Sequence, residues 1–289
     1  MQQPSIVLLI PYFGKWPAWF DFFLLSCKYN PSIQWQFYTD CGIPENAPSN
    51  VSFQSISFTN YKKKVSDKLK INFNPDSAYK LCDLKPMLGY VHEESIKDFD
   101  FWGFSDIDLV YGNLRQYFTA ERLSKYDLYS THNRRVSGHF CLMRNTKKMR
   151  EAFKLIKNWQ QKLEDQEHFA LDEGAFSRIF IKRKNFPKPL YNLVGKLNPW
   201  RRRSEFAEAF STPNASIAWV DGSYNFPGKW YWCNGKLTND LMGDREYPYF
   251  HFLVWKKDAW TTETPFPEIS DNLNSFLVSE DGICIEDLR

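Results

Sequence analysis

Residues 101–111 read Phe-Trp-Gly-Phe-Ser-Asp-Ile-Asp-Leu-Val-Tyr, an apolar run that contains two aspartates one residue apart. The run predicts a buried β-strand, and alternate side chains of an extended segment lie on the same face. We therefore expect Asp106 and Asp108 to point into the same space at the carboxyl end of the strand, the edge at which open α/β sheets bind ligands. Two carboxylates at that edge favour a divalent metal ion together with a phosphate.

The alternative for this pair is a turn before a helix, since aspartate favours both and Gly112 and Asn113 follow closely. A second Asp-x-Asp sequence, Asp98 and Asp100, lies just before the apolar run, where the strand begins. Because ligands bind at the opposite end of such a strand, we expect this earlier pair to cap or solvate a turn. The metal is expected at the later pair.

The composition is that of a globular protein with a large core. The chain has 289 residues, of which 43% are hydrophobic, enough for one large domain. A formal net charge of only +3 argues against a nucleic-acid binder that relies on a strongly basic surface. The six cysteines are scattered without a Cys-x-x-Cys pair, so the sequence supports neither a zinc knuckle nor a disulfide framework. Unpaired cysteines of this kind fit a reducing cytoplasm. No stretch approaches the ~20 apolar residues of a membrane span.

Strands and helices are predicted to alternate along the first 180 residues. In addition to the strand after residue 100, strands are predicted at residues 5–10, 34–39, 51–58, 126–131 and 140–144. Helices are predicted at residues 17–29, 60–70 and 85–94, and a long one at 146–163. This alternation predicts an α/β sheet flanked by helices. The later part of the chain is rich in aromatic residues and includes a strand-like run at 249–255.

Two histidines lie in settings that permit a binding role. His251 stands alone in the apolar run 249–255, where it is either a hydrogen-bonded core residue or a ligand. His139 follows Gly138, and a glycine allows a ligand to approach the backbone closely. The second arrangement is typical of a loop on the acceptor side of a site.

Charged residues also precede two of the predicted helices. Asp172 and Glu173 either begin a helix or supply a general base that deprotonates an attacking hydroxyl group. Lys85 and Asp83 stand ahead of the helix at 85–94. A cation near a helix N-terminus is unfavourable unless an anion binds there, which makes Lys85 a candidate phosphate contact.

Together these segments resemble the GT-A class of nucleotide-sugar glycosyltransferases, particularly a bacterial family encoded among surface-polysaccharide genes. The matching stretches are Ile-Pro-Tyr-Phe-Gly at 10–14, Phe-Tyr-Thr-Asp at 37–40, Tyr-Lys-Leu-Cys-Asp-Leu-Lys-Pro at 79–86, Asp-Ile-Asp at 106–108, Gly-His-Phe at 138–140 and Phe-His-Phe at 250–252. The resemblance implies a GT-A, Rossmann-like mixed sheet flanked by helices. It implies one domain over residues 1–289, with a nucleotide-sugar-binding core at 5–180 and an aromatic-rich, acceptor-side C-terminal elaboration at 181–289.

The resemblance also implies roles for individual residues. The nucleotide-sugar side would consist of Tyr12, Phe13 and Asp40 around the base, Asp83 and Lys85 near the sugar or phosphates, and His139. Asp106, Asp108 and His251 would hold Mn²⁺ or Mg²⁺. The pair Asp172 and Glu173 matches the position where inverting members often keep a base.

The expected function is therefore transfer of a sugar from a UDP-sugar donor to a saccharide hydroxyl, with inversion, during synthesis of lipopolysaccharide O-antigen or capsule. A glycoside hydrolase with two carboxylates would need neither metal nor nucleotide. A non-catalytic carbohydrate-binding module would accommodate the aromatic residues but leave the Asp-x-Asp sequence at the strand end unexplained. Thermal stabilisation by a metal and a nucleotide separates these alternatives.

A basic segment at residues 182–203 contains eight Lys or Arg and no Asp or Glu. It is either an ordinary solvated segment or a contact with the anionic inner face of the membrane, where a lipid-linked acceptor would lie. The second interpretation predicts a cytoplasmic enzyme that is peripheral to the inner membrane.

Overall fold

The fold is given by a computed structural model that describes residues 2–182, 187–212, 218–253, 255, 266–270 and 272–285. Its strands in chain order are β1 (Ile6–Pro11), β2 (Ile33–Thr39), β3 (Val51–Ser55), β4 (Phe101–Ser105), β5 (Leu109–Tyr111), β6 (Leu128–Ser130), β7 (Phe140–Arg144), β8 (Ser204–Phe206), β9 (Lys229–Cys233), β10 (Lys236–Asn239), β11 (Tyr249–His251), β12 (Ser275–Ser279) and β13 (Gly282–Cys284).

Short helices connect most of these strands. The α-helices are α1 (Phe20–Lys28), α2 (Phe58–Leu69), α3 (Leu81–Leu84), α4 (Leu88–Val91), α5 (Leu114–Tyr117), α6 (Ala120–Lys125), α7 (Lys147–Arg150), α8 (Trp159–Glu164), α9 (Ser177–Phe180), α10 (Lys188–Leu197) and α11 (Pro199–Arg202). Single turns of 3₁₀-helix lie at Ala78–Lys80, Lys85–Met87 and Ala152–Leu155, and a π-helix lies at Leu171–Phe176. In the part of the chain that is described, no helix has the length and apolar character needed to cross a bilayer.

A seven-stranded mixed sheet in the order β3-β2-β1-β4-β7-β6-β8 forms the centre of the fold. Strands β1 to β4 are parallel, and β7 runs antiparallel to both β4 and β6. Alternate residues of β1 enter different cores: Val7 and Leu9 pack on one face, and Leu8 packs on the other. Both faces are therefore covered, as the continuous apolar sequence of β1 requires. This arrangement confirms the predicted mixed α/β sheet flanked by helices.

The C-terminal elaboration is rich in aromatic side chains, as predicted. Strands β10-β9-β12-β13 form an antiparallel sheet, and its core includes Trp230, Trp232 and Phe276. The Trp232 indole donates a hydrogen bond of 2.8 Å to the carbonyl of Tyr111, which attaches this sheet to the central part of the molecule.

A small two-stranded sheet joins the same two regions. In it β11 pairs antiparallel with β5, so that His251 lies opposite Leu109. This pairing is important for the site, because it places the late histidine beside the turn that follows β4. The predicted strand at 249–255 was too long: only Tyr249–His251 is a strand, and Val254 lies outside the described residues.

Two helix predictions were wrong in extent. The region 146–163 is interrupted, because Ile156 is extended and Asn158 adopts the left-handed conformation with φ of 57°. Its apolar residues still point inward, including Met149, Phe153 and Leu163, since each short helix presents its own side chains to the core. The helical region predicted at 85–94 begins earlier, at Ala78, after a cap from the Ser77 side chain, and ends at Val91.

The strand predicted at 140–144 is confirmed as β7 (Phe140–Arg144), whereas other predicted elements differ at their ends. Helix α1 begins at Phe20 instead of residue 17. Strand β3 ends at Ser55, because Ser57 already caps α2 by accepting a hydrogen bond from the backbone of Asn60. The basic segment, expected as a solvated segment or a membrane contact, forms α10 and α11, while its residues 183–186 lie outside the described part of the chain.

Candidate functional site

The turn between β4 and β5 carries Asp106 and Asp108. This turn is a bend instead of the expected continuous strand, yet the two carboxylates still converge. Three contacts hold its backbone: Asp106 N–H donates to the carbonyl of His139 at 3.0 Å, the Trp19 indole donates to the carbonyl of Ile107 at 3.1 Å, and Phe252 N–H donates to the carbonyl of Asp108 at 3.2 Å. The carboxylates are thus presented by a fixed backbone at the carboxyl edge of β4.

His251 completes a group of three possible metal ligands. Its Nε2 lies 3.3 Å from Oδ2 of Asp108, and the ligand atoms of Asp106, Asp108 and His251 all lie within 4.8 Å of one another. Asp108 and His251 are buried, whereas the Asp106 side chain is 34% exposed. Two carboxylate oxygens and one imidazole nitrogen suit Mn²⁺ and are compatible with Mg²⁺, so the donor set fits the metal implied by the resemblance.

A second layer of side chains orients His251. The His139 ring stacks on the His251 ring with centroids 4.2 Å apart, and Thr212 Oγ1 lies 3.3 Å from His251 Nδ1. The hydroxyl of Tyr249 lies 2.8 Å from His139 Nε2 and donates to Thr131. Burial, followed by the neighbouring His251, lowers the pKa of His139 well below its usual value, which keeps this ring neutral. A histidine that ligates a metal ion is typically held in one orientation by polar groups on its far side.

Lys85 stands between two acidic groups. Its Nζ lies 2.5 Å from Asp106 Oδ1 and 3.8 Å from Asp172 Oδ2, and it donates to the carbonyl of Gly138 at 2.8 Å. Burial acts to lower the pKa of Lys85, but the carboxylates of Asp106 and Asp172 more than compensate and raise it above its usual value. The ammonium group therefore stays charged and connects the candidate metal ligands with the candidate base.

Asp172 and Glu173 lie in the π-helix Leu171–Phe176. Such helices are rare and are frequent at functional sites, and this one follows Ala170, which has a left-handed backbone with φ of 47°. Burial raises the pKa of Asp172 to about 6, against the opposing effect of Lys85. A carboxylate with a pKa near neutrality suits a general base.

Gly138 is needed where Asp172 and Glu173 approach β7. A Cβ atom on Gly138 would lie 2.8 Å from Asp172 Oδ2 and 3.0 Å from Glu173 Oε1. The Gly138 N–H also donates to Glu173 Oε1 at 3.2 Å. The close approach predicted for this glycine exists, but the groups that approach it are the protein's own carboxylates.

Two cavities meet at these residues. The larger has a volume of about 650 Å³ and is lined by groups that include Tyr12, Phe13, Trp19, Tyr79, Lys85 and Asp106. The smaller has a volume of about 310 Å³ and is lined by groups that include Arg135, Gly138, Asp172, Glu173, Glu208 and His251. Lys85 and Asp106 belong to both walls. The arrangement can therefore hold two ligands side by side, with acidic and basic groups at their junction.

Sequence comparison identifies the family. The model of a family of unknown function, DUF6625, matches residues 8–284. The chain belongs to this family. No curated protein sequence matches the chain.

Two solved structures show what this DUF6625 member is similar to. A galactosyltransferase, LgtC, in complex with donor and acceptor sugar analogues is 14% identical over 69% of this chain and 87% of that chain, with a TM-score of 0.35. The apo form of mouse xyloside xylosyltransferase 1 is 10% identical over 86% of this chain and 98% of that chain, with a TM-score of 0.40.

The residues expected around a nucleotide base are only partly brought together. Tyr12 and Phe13 line the larger cavity, and the Tyr12 ring stacks on Trp16 with centroids 5.4 Å apart. Asp40 is exposed, and its carboxylate accepts a hydrogen bond of 2.9 Å from the backbone of Gly14. Asp40 thereby holds the loop that carries Tyr12 and Phe13, instead of contributing a wall of the cavity.

Asp83 lies apart from the position implied by the resemblance. It is fully buried, and its carboxylate accepts hydrogen bonds from the backbone of Phe169 and Leu171 at 2.9 and 2.8 Å. Its side-chain partners are Lys80, 3.1 Å away, and His168, whose Nε2 lies 3.6 Å from Asp83 Oδ1. These contacts use the carboxylate inside the protein, so it is not presented to a sugar or a phosphate.

Several residues of the site carried no assignment from sequence. Trp19 and Tyr79 line the larger cavity, and Arg135 lies 3.5 Å from Glu173 at the smaller one. Tyr249 had a detectable signal, because it stands two residues before His251 in the same strand and so shares its face. Arg135 had none, since it comes from an irregular loop before β7.

Proposed function

We propose that this DUF6625 member is a metal-dependent, inverting glycosyltransferase that moves a sugar from a UDP-sugar to a saccharide hydroxyl. The observation that carries the proposal is the convergence of Asp106, Asp108 and His251 within 4.8 Å where two cavities adjoin. Asp106 and Asp108 line the larger cavity, and Asp106 and His251 line the smaller one. A divalent ion on that group, when bound, supplies positive charge that stabilises a departing diphosphate. A binding module or a metal-independent hydrolase has no use for this donor set.

The two cavities support a division between donor and acceptor. The larger cavity, with the aromatic rings of Tyr12 and Phe13, is assigned to the nucleotide and its sugar. The smaller cavity, which contains Asp172 and Glu173, is assigned to the acceptor. Lys85 lies at the junction, where its ammonium group can contact the phosphate that leaves.

The proposed reaction assigns the proton to Asp172. The acceptor oxygen forms a bond with the anomeric carbon while the bond between that carbon and the diphosphate oxygen breaks. The Asp172 carboxylate takes the proton from the acceptor hydroxyl, and the electron pair of the broken bond leaves with the diphosphate. Attack from the acceptor side, opposite the leaving group, inverts the anomeric configuration. Retention of configuration in the product would contradict the role of Asp172 as this base.

The acceptor is proposed to belong to a growing lipopolysaccharide O-antigen or capsule, with the enzyme in the cytoplasm. A membrane contact would rest on a smaller group than the basic segment indicates. The Arg203 guanidinium is paired with Asp127 at 2.7 Å, and Arg201 donates to the carbonyl of Ser204 at 2.7 Å. Among the described side chains of this segment, Lys182, Lys196 and Arg202 are exposed, with Leu193 and Leu197 on α10, and are assigned to a contact with anionic lipid. Unchanged liposome binding after Lys196→Gln and Leu197→Gln would exclude this contact.

The test begins with binding. Mn²⁺ together with UDP should raise the melting temperature by about 5 °C at saturating concentrations, and either component alone should raise it less. A screen of nucleotide sugars then identifies the donor by hydrolysis and by transfer to saccharides. Asp108→Asn should remove both the metal-dependent shift and the transfer.

Asp100→Asn is the matched control, because it makes the same change in the Asp-x-Asp sequence at the other end of β4. No stabilisation by any pairing of a metal with a nucleotide would contradict the proposed function. Stabilisation by saccharide alone would instead favour a binding module, and metal-independent cleavage of a glycoside would favour a hydrolase.

A further inference from the structure

A buried ion pair lies behind the smaller cavity and remains unused by the proposed reaction. Lys80 and Asp83 are 2% and 0% exposed at their side chains, and their charged atoms lie 3.1 Å apart. Removing two charges from water is costly, and an ion pair of this kind is often no more stabilising than an apolar pair of similar size. Its contacts therefore call for an explanation other than stability.

All the partners of this pair belong to the segment that leads to the candidate base. The Asp83 carboxylate accepts hydrogen bonds from the N–H groups of Phe169 and Leu171, the two residues that flank Ala170. The Lys80 ammonium donates to the backbone carbonyls of Lys162, at 2.7 Å, and Glu167. It also lies over the Phe169 ring, 4.8 Å from its centroid. The two charges thus bind backbone groups at four positions between residues 162 and 171.

The segment has a feature that such binding explains. Ala170 adopts the left-handed conformation with φ of 47° and ψ of 49°, which costs energy in any residue that has a Cβ atom. The π-helix that bears Asp172 begins at the next residue. Because Asp83 fixes the N–H groups on both sides of Ala170, it fixes the turn that aims the start of the π-helix at Gly138 and Lys85.

We infer that Lys80 and Asp83 are positioning residues for Asp172: they hold the Ala170 turn in its left-handed form and so set the distance between the base and the acceptor. This inference rests on the proposed function of Asp172. It also gives the segment Tyr-Lys-Leu-Cys-Asp-Leu-Lys-Pro at 79–86 two distinct tasks, since Lys85 faces the cavities while Lys80 and Asp83 face the interior.

The first test uses Asp83→Asn, which retains one acceptor oxygen where the carboxylate has two. Hydrogen exchange of the full chain should show about tenfold faster exchange at the amides of Phe169 or Leu171, with β1 and β4 unchanged. The double variant Lys80→Met with Asp83→Asn avoids an uncompensated buried charge and should show the same local effect. Unchanged protection of both amides in both variants would overturn the inference.

The second test measures transfer. In Asp83→Asn, kcat should fall about 100-fold because the base is displaced, while the donor KM stays within about twofold. The control is Asp127→Asn. Like Asp83, Asp127 is a carboxylate with charged partners, here Arg144 and Arg203, but it is less deeply buried and lies at the β6 edge, away from both cavities. An equal fall of kcat in both variants would show a general loss of structure and overturn the inference, as would an unchanged kcat.

The two proposals fail in different ways. If the wild-type chain transfers no sugar and binds no metal with nucleotide, the proposed function fails, while exchange at Phe169 and Leu171 still decides whether Asp83 holds the turn. If the wild-type chain is active and Asp83→Asn exchanges locally but retains its kcat, the proposed function stands and the positioning role is excluded.

Discussion

The two ends of strand β4 carry the same short sequence pattern and have different surroundings. At the amino end, Asp100 is exposed and its carboxylate accepts hydrogen bonds from the backbone and hydroxyl of Ser5 at 2.8 and 3.0 Å. At the carboxyl end, Asp108 is 4% exposed and faces His251. The first arrangement joins two strands at a turn. The second collects side chains from distant parts of the chain around one space.

The difference lies in what each end of a parallel sheet can recruit. The amino end of β4 meets the start of β1 and the end of β7, where the N–H group of Asn145 donates to the carbonyl of Asp100 at 2.8 Å. At the carboxyl end, the segment before α4 contributes Lys85, the entry to β7 contributes His139, and β11 contributes His251. The role of an Asp-x-Asp pattern therefore depends on which end of the strand carries it.

The largest expected difference in transfer is between two variants that replace a carboxylate by an amide, one at each end of β4. Asp108→Asn should lower transfer by about 1,000-fold, because an amide is a poor ligand for a divalent ion and the charge of the leaving diphosphate is then less stabilised. Asp100→Asn should leave kcat and KM unchanged. The measurement is steady-state transfer with Mn²⁺ at saturating donor. A similar loss in both variants would remove the functional distinction between the two ends.

The position of Asp106 and Asp108 was accessible from sequence because it depends on local information. An apolar run of this length predicts a buried strand, and the residues that follow it lie at its carboxyl edge. The general order of strands and helices was accessible for the same reason. Even where the helix predicted at 146–163 was wrong in extent, Met149 and Phe153 within it lie in the core.

The partners of these residues depend on tertiary structure. His251 reaches Asp108 across 143 positions through the pairing of β11 with β5, and no local pattern specifies that register. The burial of Asp83 was likewise not predictable from local sequence. Its carboxylate accepts hydrogen bonds from N–H groups that lie 86 and 88 residues away along the chain. The close approach at Gly138 was predictable, but the identity of the groups that approach it was not.

The next largest effect should come from a methyl group at the carboxyl end. In Gly138→Ala the new Cβ would lie 2.8 Å from Asp172 Oδ2, so the candidate base must shift, and we expect transfer to fall about 100-fold. The control is Gly174→Ala in the π-helix that carries Asp172, because a Cβ atom on Gly174 would lie 3.9 Å from its nearest neighbour. The measurement is kcat for both variants alongside the melting temperature. Equal activity of the two variants would contradict a need for tight placement of Asp172.

A smaller effect, graded with pH, should distinguish the acidic groups of the carboxyl end from one another. The pKa of Asp172 is raised to about 6, mainly by burial, and a general base works only when it is deprotonated. The value of kcat/KM should therefore rise with pH up to about 6 and fall about tenfold per pH unit below it. Glu173→Gln should retain this acidic limb, whereas the residual transfer of Asp172→Asn should lack it. A limb near pH 4 would assign the base to a carboxylate with an ordinary pKa.

The smallest effects are expected at the amino end, and they concern stability only. Asp100→Ala removes the two hydrogen bonds from Ser5 and should lower the free energy of unfolding by about 1 kcal/mol, as measured by urea denaturation. Asp98 is exposed, and Asp98→Ala should change the free energy of unfolding by less than about 0.5 kcal/mol. Neither variant should alter the stabilisation by Mn²⁺ and UDP, because both side chains lie at the end of β4 opposite the proposed ligands. A reduced ligand-induced shift in Asp100→Ala would mean that the two ends of the strand are coupled, and the contrast between them would then be one of degree.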